Sequence, residues 1–168
     1  KEKWLDKLPP YRGGGEMIAT VSFEKSTYAG LPHKFEAGTP NVAGNIGLGA
    51  AVDFMNEIGV EAIASHESAL LAYATEKLLN IEGLVILGTA ANKAGVISFN
   101  IEGIHNYDLG VILDKLGIAV RTGHHCTQPV MERFGIAGTA RASFAVYNTF
   151  EEIDTLVEGI NRARKMLI

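Results

Sequence analysis

Several features that mark particular classes of protein are scarce or missing in this sequence. It has one cysteine, Cys126, and therefore cannot form an internal disulfide. It has no apolar run of the roughly 18 residues that a membrane-spanning helix needs, and no charged-then-apolar secretory leader. We therefore expect a protein of a reducing, cytoplasmic compartment, with no membrane as a partner.

An excess of positive charge is also lacking. Lysine and arginine number 15 against 19 for aspartate and glutamate, which gives a net charge of −4. A protein that binds the phosphate backbone without regard to sequence would carry the opposite sign, so nucleic acid is not an expected partner. With 47% hydrophobic and 20% charged residues among 168, the composition is that of a globular chain with a core.

Proline is nearly missing after residue 41. Four of the five prolines lie before that position, together with the run Gly13–Gly15 and a single predicted strand at 17–23. Such a stretch has too little regular structure to build a core, and we expect it to need another surface to lie on.

The rest of the chain alternates helical and strand patterns. Asn41 is placed to cap a helix over 41–58, and apolar residues at helical spacing predict a second helix over 61–79. Short β-branched segments predict strands at 84–87, 96–100, 118–121 and 140–146, with helices over 108–116 and 128–134 between them. A capping box of Thr149 and Glu152 opens the last helix. This order predicts an α/β fold, an α+β sandwich of four short strands with helices packed on the sheet.

The densest group of reactive side chains follows the predicted strand at 118–121. Arg121, His124 and His125 flank Cys126, and cationic neighbours favour the thiolate, the nucleophilic form of a group whose free pKa is about 8.5. Three other interpretations stay open: a small buried cysteine, a metal site, and histidines that only cap a turn. The metal site is the least favoured, because three consecutive side chains do not readily point at one ion.

Two further segments could bind anions. Arg141 lies in an otherwise apolar predicted strand, either as a surface edge residue or as a guanidinium fork for a carboxylate. Gly38 and Thr39 come just before the helix at 41–58, where backbone N–H groups and a hydroxyl can hold a phosphate oxygen. An ordinary turn and cap is the alternative there.

Four segments, taken together in order and spacing, resemble a known family. They are PPYRGGGEMI at 9–18, FEAGTPN at 35–41, RTGHHC at 121–126 and RASFAVYNT at 141–149. The sequence resembles the C-terminal part of a group II cysteine desulfurase of the SUF type, a PLP-dependent family with the class V aminotransferase fold, PLP fold type I. The resemblance covers essentially the whole chain. It implies that residues 1–52 are a remnant of the large PLP-binding domain and that residues 53–168 form the small C-terminal domain.

The resemblance also implies a reaction and a set of roles. Cys126 matches the nucleophile that takes sulfur from L-cysteine as a persulfide and leaves L-alanine. Arg141 matches the anchor of the substrate carboxylate, and Arg121 matches a second arginine near the substrate. For His124 and His125, which lie beside the nucleophile, we expect thiol activation or proton transfer.

The family's cofactor site is represented only in part. Thr39, with Gly38, matches the segment that reaches the phosphate of the PLP bound by the neighbouring subunit of a homodimer. The Schiff-base lysine of the family lies in a Ser-Gly-His-Lys motif, and none of the nine lysines here has that context. By the family spacing it lies before Lys1. We therefore expect PLP in the full-length enzyme, no covalently bound PLP on this chain, and no turnover by this chain alone.

The resemblance further implies partners, and it leaves alternatives open. The short loop at 124–129 implies a dedicated sulfur-acceptor protein, and the family likeness implies sulfur supply for iron–sulfur cluster assembly. Within enzymes, the alternatives are a selenocysteine lyase, with L-selenocysteine as substrate, and a cysteine sulfinate lyase. From a different class, a sulfur-carrier or binding module without PLP is favoured by the missing lysine.

Overall fold

The first part of the chain has few regular elements. The computed structural model describes all 168 residues, and the chain forms two units, Lys1–Glu57 and Ile58–Ile168. The first unit contains a short helix α1 (Glu2–Leu5), an antiparallel hairpin of β1 (Ile18–Val21) and β2 (Ser26–Tyr28), and a 3-10 turn (His33–Phe35). It also contains all but the last residue of helix α2 (Val42–Ile58). The strand predicted at 17–23 is thus one half of a hairpin. Its partner β2 is too short to show an alternating pattern in the sequence.

This first unit buries almost nothing. Met17 is its one buried hydrophobic side chain. Helix α2 has no buried residue, and Asn41 caps it as predicted, since its Oδ1 accepts the Gly44 N–H at 3.0 Å. The large exposed apolar side chains of α2 are Val42, Ile46, Leu48, Val52, Phe54, Met55 and Ile58. The unit ends at Glu57, whereas the sequence predicts a boundary after residue 52, and its assignment to a large PLP-binding domain stays a prediction.

The second unit is built on a four-stranded antiparallel sheet. Its elements are α3 (Val60–Leu79), β3 (Leu84–Leu87), β4 (Val96–Ile101), α4 (Asn106–Lys115), β5 (Arg121–Gly123), α5 (Gln128–Phe134), β6 (Thr139–Ser143) and α6 (Phe150–Leu167). The sheet order is β3–β4–β6–β5, and each neighbouring pair is antiparallel. The predicted fold, four short strands with helices packed on the sheet, is confirmed.

One face of this sheet is covered by helices. Along β4, Ile97, Phe99 and Ile101 are buried and the residues between them are only half-buried, as the period of two in a strand requires. The buried face packs into a single core with α3, α4 and α6. The opposite face is more open, and it carries Arg141 on β6.

One predicted strand is misplaced. The strand expected at 118–121 begins at Arg121 and runs to Gly123. Ile118 and Val120 pack against the core instead, and the pairing with β6 begins only at Arg121 and Arg141. Their β-branched side chains suit a strand and a buried connection equally well, which is why the sequence pattern gave the wrong position.

The last helix begins as predicted. Thr149 Oγ1 accepts the Glu152 N–H at 3.3 Å, and the Glu152 carboxylate accepts the Thr149 N–H at 3.1 Å, which completes the capping box. The helix then buries Ile153, Leu156 and Ile160 along one side. None of the helices combines the length and the apolar character that crossing a membrane requires.

The backbone of Gly138, just before β6, lies very close to the backbone of Gly123 at the end of β5. A Cβ atom on Gly138 would lie 2.7 Å from the carbonyl carbon and oxygen of Gly123. The Gly138 carbonyl also accepts from Asn100 Nδ2 at 2.9 Å, which connects this crossing to β4. Only glycine fits at position 138 without displacing β5.

We expect Gly138→Ala to lower the free energy of unfolding by about 1–3 kcal/mol, because the added methyl group pushes the β5 backbone away from β6. Urea unfolding of the chain followed by circular dichroism measures this. Gly13→Ala is the matched control, since a Cβ on Gly13 meets no atom within 4 Å. A Gly138→Ala protein as stable as the control would contradict the close approach.

Candidate active site

Cys126 lies in a tight turn directly after β5. Thr127 closes the turn by donating twice to the His124 carbonyl oxygen, from its N–H at 2.9 Å and from its Oγ1 at 2.8 Å. The two central residues, His125 and Cys126, have positive φ angles of 53° and 60°. Both central positions of a type I′ turn have this sign, which costs residues other than glycine on the order of 1 kcal/mol or more. The candidate nucleophile is thus held in a strained conformation by hydrogen bonds.

The two histidines beside Cys126 make different contacts. His124 Nδ1 accepts the Cys126 N–H at 3.1 Å, inside the turn. His125 Nε2 lies 2.9 Å from Thr139 Oγ1 and 3.2 Å from Thr139 O, so its ring reaches across to β6. Both rings therefore stabilise the turn, one of the interpretations that the sequence left open. Their role in thiol activation or proton transfer stays a prediction.

The Cys126 side chain is exposed, so a small buried cysteine is excluded. Its Sγ has one polar side-chain neighbour, Arg121 Nη2, at 3.8 Å. A guanidinium group is always charged, and a permanent positive charge beside the sulfur stabilises an anionic sulfur. Because both side chains are exposed, water screens this contact and its effect is modest.

Partial burial lowers the pKa of His125, and the nearby positive charge of Arg141 lowers it further. The imidazole is therefore neutral at neutral pH, with one N–H and one lone pair. A neutral ring near the two arginines adds no third positive charge to the site.

Arg121 and Arg141 lie directly opposite each other on β5 and β6. Residues opposite each other in an antiparallel pair point to the same face, so two positive charges share the open face of the sheet. Neither arginine forms a salt bridge within the chain, and the Nε of Arg141 is shielded from solvent without a hydrogen-bond partner. Arg141 is not an edge residue, because β6 lies between β4 and β5. The pair forms a site suited to an anionic group such as a carboxylate.

A cleft of about 360 Å³ lies on this face, between the sheet and α5. Its polar wall includes Arg141, His125, Thr139 and Ser98. Its apolar wall is formed by Leu87, Val96, Val130, Met131 and Phe134. The cleft therefore offers a cationic end and an apolar side to a small ligand.

The predicted phosphate segment belongs to the first unit. Gly38 has a φ of +85°, and its N–H donates to Gly15 O at 2.9 Å, so this N–H is not free for a phosphate. The Thr39 hydroxyl is exposed and makes no hydrogen bond within the chain. It precedes the first turn of α2, where the helix dipole favours an anion. Gly38 thus shapes the loop, while Thr39 carries the free binding groups.

Thr139 is a contact that the sequence interpretation missed. The residue is buried, and it meets the His125 ring with both of its oxygen atoms. It precedes Arg141 by two positions, so the period of a strand places both side chains on one face. The two-residue period of the strand is the one feature of the sequence that links Thr139 to the site, and it does not by itself indicate a contact with His125.

Comparison with known proteins begins with the sequence. The family model for class-V aminotransferases matches residues 1–156. A probable cysteine desulfurase from Streptomyces coelicolor is 53% identical over 98% of this chain, and a cysteine desulfurase from Salmonella agona is 48% identical over 99%. The chain spans about 40% of the length of these relatives.

Solved structures give the same result. The cysteine desulfurase CsdA from Escherichia coli, in an S-sulfonic acid form, matches 100% of this chain and 42% of its own, with a TM-score of 0.92 and 37% identity. An apo cysteine desulfurase from Thermococcus onnurineus matches 99% of this chain and 42% of its own, with a TM-score of 0.92 and 41% identity. A C-DES variant with glycine covalently linked to its PLP cofactor matches 95% of this chain and 40% of its own, at a TM-score of 0.74 and 21% identity, which shows the fold alone.

The chain therefore belongs to the class V aminotransferase family, which is PLP-dependent. Its helix-covered sheet and the thiol beside the two arginines are features of a member of that family. Within that family it is a homologue of the cysteine desulfurases, and it corresponds to their C-terminal two fifths. The family predicted from the four sequence segments is therefore confirmed.

We expect Arg121→Gln to slow the reaction of Cys126 with iodoacetamide by about two- to fivefold near pH 7, because an exposed charge contact contributes at most about 1 kcal/mol. Mass spectrometry of the alkylated chain gives the rates. Arg133→Gln, the same change at an exposed arginine on α5, is the matched control. Equal rates for the Arg121 variant and the control near neutral pH would show that the contact does not act on the sulfur.

Proposed function

We propose that this chain is the C-terminal part of a PLP-dependent cysteine desulfurase, which removes sulfur from L-cysteine and leaves L-alanine and a persulfide on Cys126. The observation that carries the proposal is the 3.8 Å contact between the exposed Cys126 Sγ and Arg121, opposite Arg141 in the sheet. It combines a nucleophilic sulfur, its counter-charge and a carboxylate site. The homology to cysteine desulfurases supports the same assignment.

Three residues of this chain have separate roles in the proposed reaction. The Cys126 thiolate attacks the sulfur of L-cysteine and forms an S–S bond while the substrate C–S bond breaks. The electron pair of the broken bond stays with the substrate carbon, which takes up a proton to become the methyl group of L-alanine. Arg141, on the polar wall of the cleft, binds the substrate carboxylate, and Arg121 stabilises the attacking sulfur.

The residues present fit PLP at its phosphate group. Thr39 would hold a phosphate oxygen through its unpaired hydroxyl, at the N-terminal end of the 17-residue helix α2. When bound, PLP supplies an electron sink for the substrate. The likeness to group II desulfurases supports a homodimer in which Thr39 serves the cofactor of the neighbouring subunit. No lysine here lies in the Ser-Gly-His-Lys context, which supports the view that this chain alone is inactive and does not bind PLP covalently.

We expect Cys126→Ala in the full-length protein to abolish alanine formation from L-cysteine and to leave the PLP absorbance intact, because the thiol acts on substrate already bound. Arg141→Gln should instead raise KM for L-cysteine by about 10- to 100-fold, the effect of losing a charge-assisted hydrogen bond. Arg162→Gln, at an exposed arginine on α6, is the matched control. Steady-state alanine production measures both. Alanine formation by the Cys126 variant at the unchanged rate would refute the proposed nucleophile.

A dedicated sulfur-acceptor protein fits the geometry of the turn. Cys126 is held inside a hydrogen-bonded turn, and α5 begins at Gln128, so a persulfide there has little freedom to travel outward. An acceptor must therefore approach the turn and take the sulfur there. Delivery to iron–sulfur cluster assembly in the cytoplasm is supported by the likeness to SUF-type desulfurases.

We expect turnover of the full-length protein on L-cysteine to rise when a protein with an exposed, reactive thiol is added as acceptor, because persulfide release then no longer limits the cycle. The measurement is alanine formed per minute over a range of acceptor concentrations. The same protein with that thiol alkylated is the control. Turnover that is equally fast without any acceptor would contradict the proposed partner.

A further inference from the structure

The contacts of His125 determine where its proton lies. A carbonyl oxygen can only accept a hydrogen bond, and Thr139 O lies 3.2 Å from His125 Nε2. A hydrogen on Nε2 is shared between this carbonyl and Thr139 Oγ1 at 2.9 Å, whereas a hydrogen on Nδ1 would be shielded from solvent with no acceptor, so we place the hydrogen on Nε2. The neutral ring then has its lone pair on Nδ1, an atom that is shielded from solvent and has no partner in the chain.

Neither histidine makes a hydrogen bond to the sulfur in this arrangement. His124 uses the lone pair of its Nδ1 to accept the Cys126 N–H. The side chain that hydrogen-bonds Cys126 Sγ is Arg121, and neither imidazole makes a hydrogen bond to the sulfur. The rings are consequently placed to hold the backbone of the turn, where two consecutive residues have left-handed φ angles.

Thr139 is well placed to anchor this turn. It is buried, it lies on a strand with neighbours on both sides, and it pairs directly with Gly123, the last residue of β5 before the turn. Two positions further along the same strand is Arg141. One strand therefore fixes both the candidate carboxylate anchor and the ring that holds the turn in place.

We propose that Thr139 is a positioning residue for the desulfurase reaction: by holding the Nε2–H of His125, it keeps the left-handed His125–Cys126 pair in the conformation that places Sγ beside Arg121. This inference rests on the proposed function of Cys126 as the nucleophile. It gives His125 a positioning role in place of proton transfer.

Two substitutions at Thr139 test the contact in the 168-residue chain. Thr139→Val keeps the shape of the side chain and removes the hydroxyl, while Thr139→Ser keeps the hydroxyl. We expect Thr139→Val to slow alkylation of Cys126 by about two- to tenfold, the effect of losing one hydrogen bond, and Thr139→Ser to restore most of the rate. The nitrogen chemical shifts of the His125 ring should show the Nε2-protonated tautomer in the unchanged chain and in Thr139→Ser. They should show a larger share of the Nδ1-protonated form in Thr139→Val, where the shorter 2.9 Å contact is lost and only the carbonyl oxygen at 3.2 Å still accepts the hydrogen. Equal rates and one tautomer in all three proteins would overturn the proposal.

A third substitution separates positioning from proton transfer. Asparagine tolerates positive φ, so His125→Asn preserves the turn while it removes both the contact with Thr139 and any acid or base at this position. We expect His125→Asn to lower alkylation and kcat of the full-length enzyme about as much as Thr139→Val does. The double variant should be no worse than either single one, because both remove the same contact. Additive losses, or a kcat that vanishes only in His125→Asn, would refute the positioning role.

These readouts also separate the inference from the proposed function. The ring tautomer and the alkylation rate are properties of the chain and do not require turnover. If Cys126→Ala stayed active while Thr139→Val changed the tautomer and slowed alkylation, the role of Cys126 as nucleophile would fail and the contact would stand. If Cys126→Ala were inactive and Thr139→Val changed nothing, only the positioning role would fail.

Discussion

The left-handed backbone at His125 and Cys126 is the constraint on which the site depends. Two consecutive residues with side chains adopt φ angles that glycine adopts freely. The conformational strain is offset by hydrogen bonds within the turn and to β6. Thr127 closes the turn from one side, and the ring of His125 attaches it to Thr139 on β6. The position of the exposed sulfur is thus set by hydrogen bonds that the residues beside it make. Through the contact with Thr139, the turn at the surface is attached to a buried part of β6.

The sheet can hold this turn because its two faces differ. Helices α3, α4 and α6 cover one face and pack with it into the core, which holds β6 and its neighbours in place. The other face is free to display Arg121 and Arg141, two like charges placed directly opposite each other. Such a pair disfavours the folded state, and a carboxylate bound at the proposed site would relieve the repulsion. The repulsion arises on the face that contributes least to the core.

Much of the second unit could be predicted from the sequence, because its signals are local. The capping box at Thr149 and the apolar spacing of α6 depend on residues within a few positions of one another, and both proved correct. The contact of His125 with Thr139 joins residues 14 positions apart and depends on the register of β5 and β6, which no local pattern encodes. The strand expected at 118–121 failed for a related reason, since Ile118 suits burial against a helix as well as pairing in a sheet.

The same distinction applies to the predicted phosphate segment. A glycine followed by a threonine before a helix indicates free donors, yet the Gly38 N–H is already bonded to Gly15. Which donors remain free depends on how the preceding loop folds back, and at Thr39 the hydroxyl stays without a partner in the chain.

The unequal distribution of buried residues has a thermodynamic consequence. The heat capacity change of unfolding grows with the apolar surface that becomes newly hydrated, and the first unit, with Met17 as its one buried apolar side chain, hydrates almost no additional apolar surface when it loses its structure. In a calorimeter nearly the whole transition of this chain would therefore originate in the second unit, while the hairpin and α2 would lose their order gradually and with little heat.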